Sequence, residues 1–294
     1  MVKHCVRVRI SNRSSESFSS DYRSFPMDFI IYLLIGLFMG LFGGLLGIGG
    51  SVIMIPALVF VYGENQHLYQ AAAMFCNFFV GVSAALIHKK ADFIMTDVVK
   101  WIVPFALVSM IFGVALSNSS LFAGKVNSYL LARVYGGFML YVVIYNILRL
   151  GTAVTGSGSF HVSNVKRSSL LAGLCGALTG FPAGLLGIGG GTVCTPTQQL
   201  FLKMPFKRAI SNSAATFASI ALIGAVYKNL TLGQHGIDMM DSLRIAIGII
   251  PGAIVGALVG SKYLHVLPKN LVRIVFIGVL ALASYKLLTV VPGA

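Results

Sequence analysis

Two stretches of 35 residues, 29–63 and 168–202, contain no Asp, Glu, Lys or Arg. In lipid, backbone N–H and C=O groups find no water to bond, so a run of this kind is accommodated as helix. Each run is too long for one span of ~20 residues and barely long enough for two. Composition extends the point to the whole chain. Hydrophobic residues make up 56% and charged residues 10% of 294 positions, whereas a soluble domain carries roughly 25% charged residues. An ordinary soluble enzyme is excluded, and the expected fold is an all-α polytopic membrane protein with about eight to ten spans. No secretory h-region precedes the first apolar run, which therefore reads as a retained span.

The two runs are copies. GGLLGIGGSVIMIP (Gly43–Pro56) and AGLLGIGGGTVCTP (Ala183–Pro196) align at an offset of 140, with seven identical residues in a row from Gly44 and Gly184. Downstream, QAAAMFCNFF (Gln70–Phe79) corresponds to RAISNSAATF (Arg208–Phe217) at an offset of 138, and Arg133 and Tyr145 match Arg273 and Tyr285 at 140. This is an internal duplication. Each half reads as a long helix, a short one after the glycines and three ordinary spans: 28–46, 51–62, 67–88, 99–118 and 128–149, then 168–186, 191–202, 208–228, 242–262 and 271–291. The organisation is thus a basic polar tail (1–26), a first repeat (27–150), a Gly/Ser/Thr-rich linker (151–167) and a second repeat (168–294). The tail reads as disordered or as lying upstream of a natural start at Met27. Matching loops carry opposite charge bias: Glu64 and His67 against Lys203, Lys207 and Arg208, then Lys89, Lys90 and Lys100 against Asp238 and Asp241. Under the positive-inside rule, that is the pattern of an inverted repeat with Gly-broken helices.

Net charge is +14, yet all eight carboxylates lie outside or at the edges of the apolar runs, and none occurs from Val98 to Ile237, where ten Lys/Arg are found. A carrier of cations, or of protons through a carboxylate relay, normally needs an intramembrane acid. An anion or a neutral solute is therefore expected. The four cysteines lack metal-ligand spacing and read as inert thiols. GIGG is neither G-x-G-x-x-G nor G-x-x-x-x-G-K-[ST], so nucleotide binding is rejected. No Ser/His/Asp, Cys/His or paired-carboxylate set occurs in a span, which argues against an enzyme; no cofactor and no nucleic-acid partner are expected, only a small anion and membrane lipid.

The glycine clusters admit two readings. Small residues let helices approach closely. Alternatively, dense glycines weaken a helix at about 1 kcal/mol each, and a helix restarting after the break aims free N–H groups and a positive dipole end back at it. Two such N-termini from pseudo-symmetric halves make an anion site without a charged side chain. The candidates are Gly49, Gly50 and Ser51 in the first copy and Gly190, Gly191 and Thr192 in the second, joined by Asn77 from one following helix and by Asn212, Ser213 and Thr216 from the other. For the polar residues of those following helices, interhelical hydrogen bonding is the competing reading. Arg133 and Arg273 read as snorkelling to the interface, His88 as an exposed loop residue and Trp101 as an interfacial anchor.

The twice-used G-L-L-G-I-G-G-[GS] pattern with its following proline, each copy preceding an Ala/Ser-rich helix, resembles the TauE/SafE (sulfite exporter) permeases over nearly all of 28–291. The resemblance implies transport of small sulfur- or carbon-containing anions (sulfite, sulfonates, related organic acids) across the bacterial cytoplasmic membrane, with the glycine loops and following polar helix starts as the central site. AISNSAATFAS keeps that pattern, whereas AAAMFCNFF places Met74, Phe75 and Phe78 where small or hydroxylated residues are usual. An asymmetric pocket, more apolar on the first-repeat side, is expected. The function so reached is a secondary transporter working by alternating access, with its two halves rocking about a midplane site. The alternatives are a channel-like anion pore or a non-transporting membrane assembly or sensor subunit.

Overall fold

The computed structural model describes residues 25–119, 121–122, 125–150, 165–264 and 269–289. Among them every regular element is helical: α1 (Phe25–Leu46), α2 (Ser51–Tyr62), α3 (Gln66–Lys90), α4 (Thr96–Ser117), α5 (Lys125–Leu150), α6 (Val165–Leu186), α7 (Gly191–Phe201), α8 (Phe206–Leu230), a 3-10 turn (Leu232–His235), α9 (Met239–Tyr263) and α10 (Lys269–Leu288). Seven helices are long and apolar enough to cross a membrane, and α2 is a shorter apolar helix. The outer surface is correspondingly apolar, with Phe60, Phe112, Leu170 and Leu282 among its exposed side chains. The chain is an integral membrane protein. The tail (1–24), the centre of the linker (151–164) and the side chain of Arg273 lie outside the described residues.

Side-chain chemistry sets the ends of these helices. The Asn65 side chain accepts the Leu68 N–H at the start of α3, and Asp238 accepts the Met240 N–H at the start of α9. Between α1 and α2 the chain turns at residues 47–50, with Gly47 and Gly49 at φ +60° and +72°. Between α6 and α7 it turns at 187–190, with Gly187 and Gly190 at +70° and +64°. Positive φ at these points suits glycine, and the turns end α1 and α6 where the apolar pattern alone would let them run on.

Each turn folds its pair into a hairpin. The end of α2 returns to the start of α1, where the Tyr62 hydroxyl donates to Asp28 and packs on the Tyr32 ring. The end of α7 returns to the first half of α6, where Leu202 and Met204 pack in one cluster with Ala172 and Cys175. The hairpins enter from opposite ends of the bundle. One end, here the α2–α3 end, also holds the close of α4 and α8, since Ser117 and Asn118 meet Lys228 there. The other, the α7–α8 end, holds the start of α4, where Met95 meets Asn212.

Two seams hold the bundle. Gly36, Gly40 and Gly44 of α1 lie against the backbone of Ile249, Ala253 and Ala257 of α9, so these helices run parallel. Gly176, Gly180 and Gly184 of α6 lie in the same way against Ile102, Ala106 and Met110 of α4. Small residues permit this backbone-to-backbone approach, and dispersion between close helices is what binds them in lipid. Both seams join one repeat to the other. Helices α3 and α8 cross antiparallel between them, with Gly81 at Phe217 and Gly224 at Met74.

A Cβ at Gly180 would land on the Ala106 carbonyl oxygen, whereas a Cβ at Gly137 of α5 would meet nothing within 4 Å. Gly180→Leu is therefore expected to cost at least the 1–3 kcal/mol typical of overpacking and to cut the monodisperse yield in detergent several-fold. Gly137→Leu should leave that yield unchanged in the same size-exclusion measurement.

Candidate functional site

The two glycine turns meet inside the bundle. A Cβ on Gly49 would lie 2.8 Å from the Gly189 Cα, and one on Gly191 would strike the Gly47 carbonyl oxygen. The tips pass each other backbone to backbone. The N-termini of α2 and α7 thus open at a common centre, on chain that is buried on both sides.

One network ties the crossing together. The Ser51 N–H donates to Asn77 Oδ1 (3.3 Å), Asn77 Nδ2 donates to Ser51 Oγ (3.0 Å), and the Gly189 N–H donates to the same Oγ (3.1 Å). Asn77 Nδ2 also reaches the Gly187 carbonyl at 3.4 Å, while Ser213 Oγ donates to the Gly47 carbonyl at 2.9 Å. Each middle helix therefore holds the first glycine carbonyl of the opposite repeat's tip. From α5, the buried Tyr135 hydroxyl donates to the Ser51 carbonyl (3.1 Å) and props α2 from behind. Thr192 and Thr195, on the first turns of α7, have buried hydroxyl oxygens with no hydrogen-bond partner.

Of the residues expected at the site, Gly49, Gly50, Ser51, Asn77, Gly190, Gly191 and Thr192 lie at or beside the crossing, and Ser213 touches it. Asn212 and Thr216 make their hydrogen bonds elsewhere. Asn212 accepts the Met95 N–H (2.7 Å) and donates to Gln198 Oε1 (3.2 Å) at the α7–α8 end, and the Thr216 hydroxyl bonds back to the Asn212 carbonyl (2.8 Å). Asn212 is only about 1.5 Å along the axis from Ser213 but about 100° round the helix, so the two side chains meet different neighbours.

Space at the crossing is small. A cavity of about 10 Å³ is lined by Met74, Asn77, Met110, Ala183, Gly187, Ile188, Gly189, Phe217, Ile220 and Ala221, room for about one water. The tips are closed on each other in this conformation. Met74 lines the cavity as the departing pattern anticipates, whereas Phe75 and Phe78 do not. A larger furrow of about 290 Å³ between α1 and α2 is lined by Ile31, Leu34, Ile35, Phe38, Phe42, Ile53 and Ala57. Its wholly apolar walls suit an acyl chain and not an oxyanion.

Sequence reasoning missed a second polar group, at the α2–α3 end. Lys228 of α8 is fully buried; its Nζ donates to Ser117 Oγ (2.9 Å) and Asn118 Oδ1 (2.7 Å) and sits 3.1 Å from His67 Nδ1. The ring of His235 stacks on that of His67 with centroids 3.7 Å apart. Lys228 ends an apolar helix and reads in sequence like a snorkelling end residue; only the fold turns it inward. His88, expected in an exposed loop, is buried instead, because α3 continues to Lys90 and carries it into its last helical turn. Trp101 is 44% exposed near the start of α4, as an interfacial anchor would be.

The sulfite exporter TauE/SafE family profile matches residues 32–287. The chain is 24% identical over 269 residues to the probable membrane transporter protein MamO of Magnetospirillum gryphiswaldense, covering 83% of this chain and 42% of that protein. The chain thus spans less than half the length of MamO. A probable membrane transporter protein of Methanocaldococcus jannaschii is 26% identical over 257 residues, covering 82% of this chain and 88% of the relative. One of Xylella fastidiosa is 27% identical over 245 residues, covering 82% and 87%. No solved structure matches the chain significantly.

Glu64, in the turn between α2 and α3, has both carboxylate oxygens buried without a hydrogen bond. Burial raises its pKa to about 7, against a downward pull from Arg133. A carboxyl raised in the folded state contributes stability that is fully present below its unfolded value and is lost as pH rises through the folded one. Glu64→Gln is therefore expected to raise the melting temperature above pH 7, by an amount that shrinks as pH falls toward 4.5, in melts of purified protein across that range.

Proposed function

The chain belongs to the sulfite exporter TauE/SafE family, and we propose that it is a secondary transporter which binds a small oxyanion (sulfite, a sulfonate or a related organic acid) where the two glycine tips cross. The observation that carries this reading is the Ser51–Asn77–Gly189 network. There, neutral donors at the mouths of two helix N-termini are spent on each other, and an entering oxyanion offers them better acceptors. Charge-assisted hydrogen bonds are roughly twice as strong as neutral ones, and the helix ends add favourable dipole potential. The buried Thr192 and Thr195 hydroxyls are donors still without a partner. A fixed positive side chain is not needed at the crossing, which suits a carrier that must also release its anion.

The two repeats act as inverted copies in this reading, each sending a hairpin inward from its own end. The glycine seams refine what moves. Because α1 is locked to α9 and α6 to α4, the rocking bodies are α1–α2–α9 and α4–α6–α7, each drawn from both repeats. Parting the tips opens the crossing toward one end at a time, the alternating access typical of paired broken helices. Lys89, Lys90, Lys100, Lys203, Lys207 and Arg208 gather at the α7–α8 end, which under the positive-inside rule supports a cytoplasmic side for that end. A bacterial cytoplasmic membrane is the setting of this reading.

Purified protein is expected to melt several degrees higher with one class among sulfite, sulfate, alkyl sulfonates and matched carboxylates, following RT ln(1 + [L]/Kd). Ser51→Ala removes the oxygen that gathers Gly189 and Asn77 and should lower kcat/KM for proteoliposome uptake of that anion by tenfold or more. A melt unmoved by every anion but shifted by a cation would overturn the site. Flux that does not saturate at millimolar anion would replace the carrier with a pore.

A further inference from the structure

Lys228 holds an amine inside an apolar bundle. Its contacts are neutral: His67 from α3, Ser117 and Asn118 from the close of α4. The titratable groups facing the cluster are His67 and, stacked on it from the 3-10 turn, His235. Among the described residues, no carboxylate hydrogen-bonds to any of them; the ion pairs Lys100–Asp97 and Arg244–Asp241 lie on the surface. An ionisable residue at such a position is costly to retain, and that cost calls for a function.

Counting donors and acceptors shows what its proton controls. His67 Nε2 lies 3.2 Å from the Phe122 carbonyl, which can only accept, so that nitrogen carries the hydrogen and the neutral ring's Nδ1 can only accept. Asn118 Oδ1 can only accept as well; its amide nitrogen is spent on Thr231 Oγ1 at 2.7 Å. The three Nζ–H groups of the ammonium therefore match three acceptors. The neutral amine has two N–H groups and a lone pair, so one of the three contacts is lost or reverses; Asn118 Oδ1 also has His235 Nε2 at 3.3 Å. Ser117 is the partner that can reverse, because a hydroxyl donates or accepts. At present its proton goes to Gln70 Oε1 at 3.3 Å, and Gln70 Nε2 holds the Leu185 carbonyl at 3.3 Å. Leu185 lies two residues before the α6–α7 glycine tip, and the Gly187 backbone rests on Gln70. When the amine takes the Ser117 proton, Gln70 is left with a buried, unpartnered oxygen, an unfavourable state that loosens the amide's hold on the tip.

We propose that Lys228 is a proton-binding site whose ionisation is passed through Ser117 and Gln70 to the α6–α7 tip, so that protonation locks the tip and loss of the proton releases it. The proton leaves Nζ for water at the α2–α3 end, where the partly exposed His235 covers the cluster. Burial and the Lys228 charge hold the His235 imidazole below its ordinary pKa, so near neutral pH it stays uncharged beside the ammonium. If the transporter reading holds, on which this last step rests, one proton accompanies one anion. A cycle that carries both moves no net charge.

The test reads the switch without a substrate. Hydrogen–deuterium exchange of 185–191 in the purified full chain, corrected for intrinsic rates, is expected to lose protection at least tenfold as pH rises from 6 to 9. Lys228→Arg should keep that segment protected throughout, and Lys228→Gln should leave it open throughout. Ser117→Ala, which cuts the tether without touching the charge, should abolish the pH response with the fold intact; it decides the matter should Lys228→Gln not fold. Wild type, Lys228→Arg and Ser117→Ala sharing one pH curve would overturn the proposal. In proteoliposomes, ethanesulfonate brings no titrating proton of its own. A one-unit pH gradient should drive its accumulation up to about tenfold, the limit for one coupled proton, and Ser117→Ala should equilibrate it without accumulation. A segment that titrates through Lys228 with no ethanesulfonate uptake would support the switch and reject the sulfonate reading. Uptake indifferent to the gradient, with flat exchange curves, would do the reverse.

Discussion

The backbone-to-backbone crossing of two glycine turns is the contact on which the rest of the structure depends. Non-helical chain inside a membrane must find its hydrogen-bond partners within the protein, and here each tip is satisfied largely by the other repeat. Gly189 donates to Ser51, while Asn77 and Ser213 donate to the first glycine carbonyls of opposite tips. A side chain at Gly49 or Gly189 would force the tips apart and strip those partners away. The two long seams can be seen as the frame that brings both turns to one height.

The two ends of the bundle are closed by different chemistry. At the α7–α8 end the fastening is neutral: Asn212 holds the Met95 N–H and Gln198, and Gln198 holds Cys194 and the Ala209 carbonyl. At the α2–α3 end it centres on Lys228 with two imidazoles in attendance. A neutral amide fastening has the same strength at any ordinary pH, whereas an ammonium fastening does not. The duplication that makes the helices alike thus stops short of the residues that hold the ends shut.

Much of the fold was legible in the sequence because lipid leaves few choices. Charge-free runs located the spans, and the glycine doublets located the breaks, so α2 and α7 begin where GIGG ends. The crossing was legible in Ser51 and Asn77, whose polarity had to be answered inside apolar surroundings. Asn212 misled because it stands beside Ser213 in sequence but about 100° round the helix, where it meets Met95 and Gln198 instead of the crossing. Lys228 and His67 were invisible for a related reason: they stand 161 positions apart, and nothing local says that a lysine at a helix end points inward. Which repeats' helices would pair could not be read either, since the small residues of α1 and α6 announce a close neighbour without saying which.

That pairing bears on how the molecule is assembled. Gly36 of α1 packs on Ile249 of α9, 213 residues later, and the seam runs on through Gly40 with Ala253 and Gly44 with Ala257. A chain entering the membrane in order inserts α1 before α9 and must leave its glycine face without that partner while α2 to α8 are made. The first repeat on its own has no partner for that face and no second tip to satisfy its broken turn. The duplicated halves therefore behave as a single cooperative unit, completed only when α9 arrives.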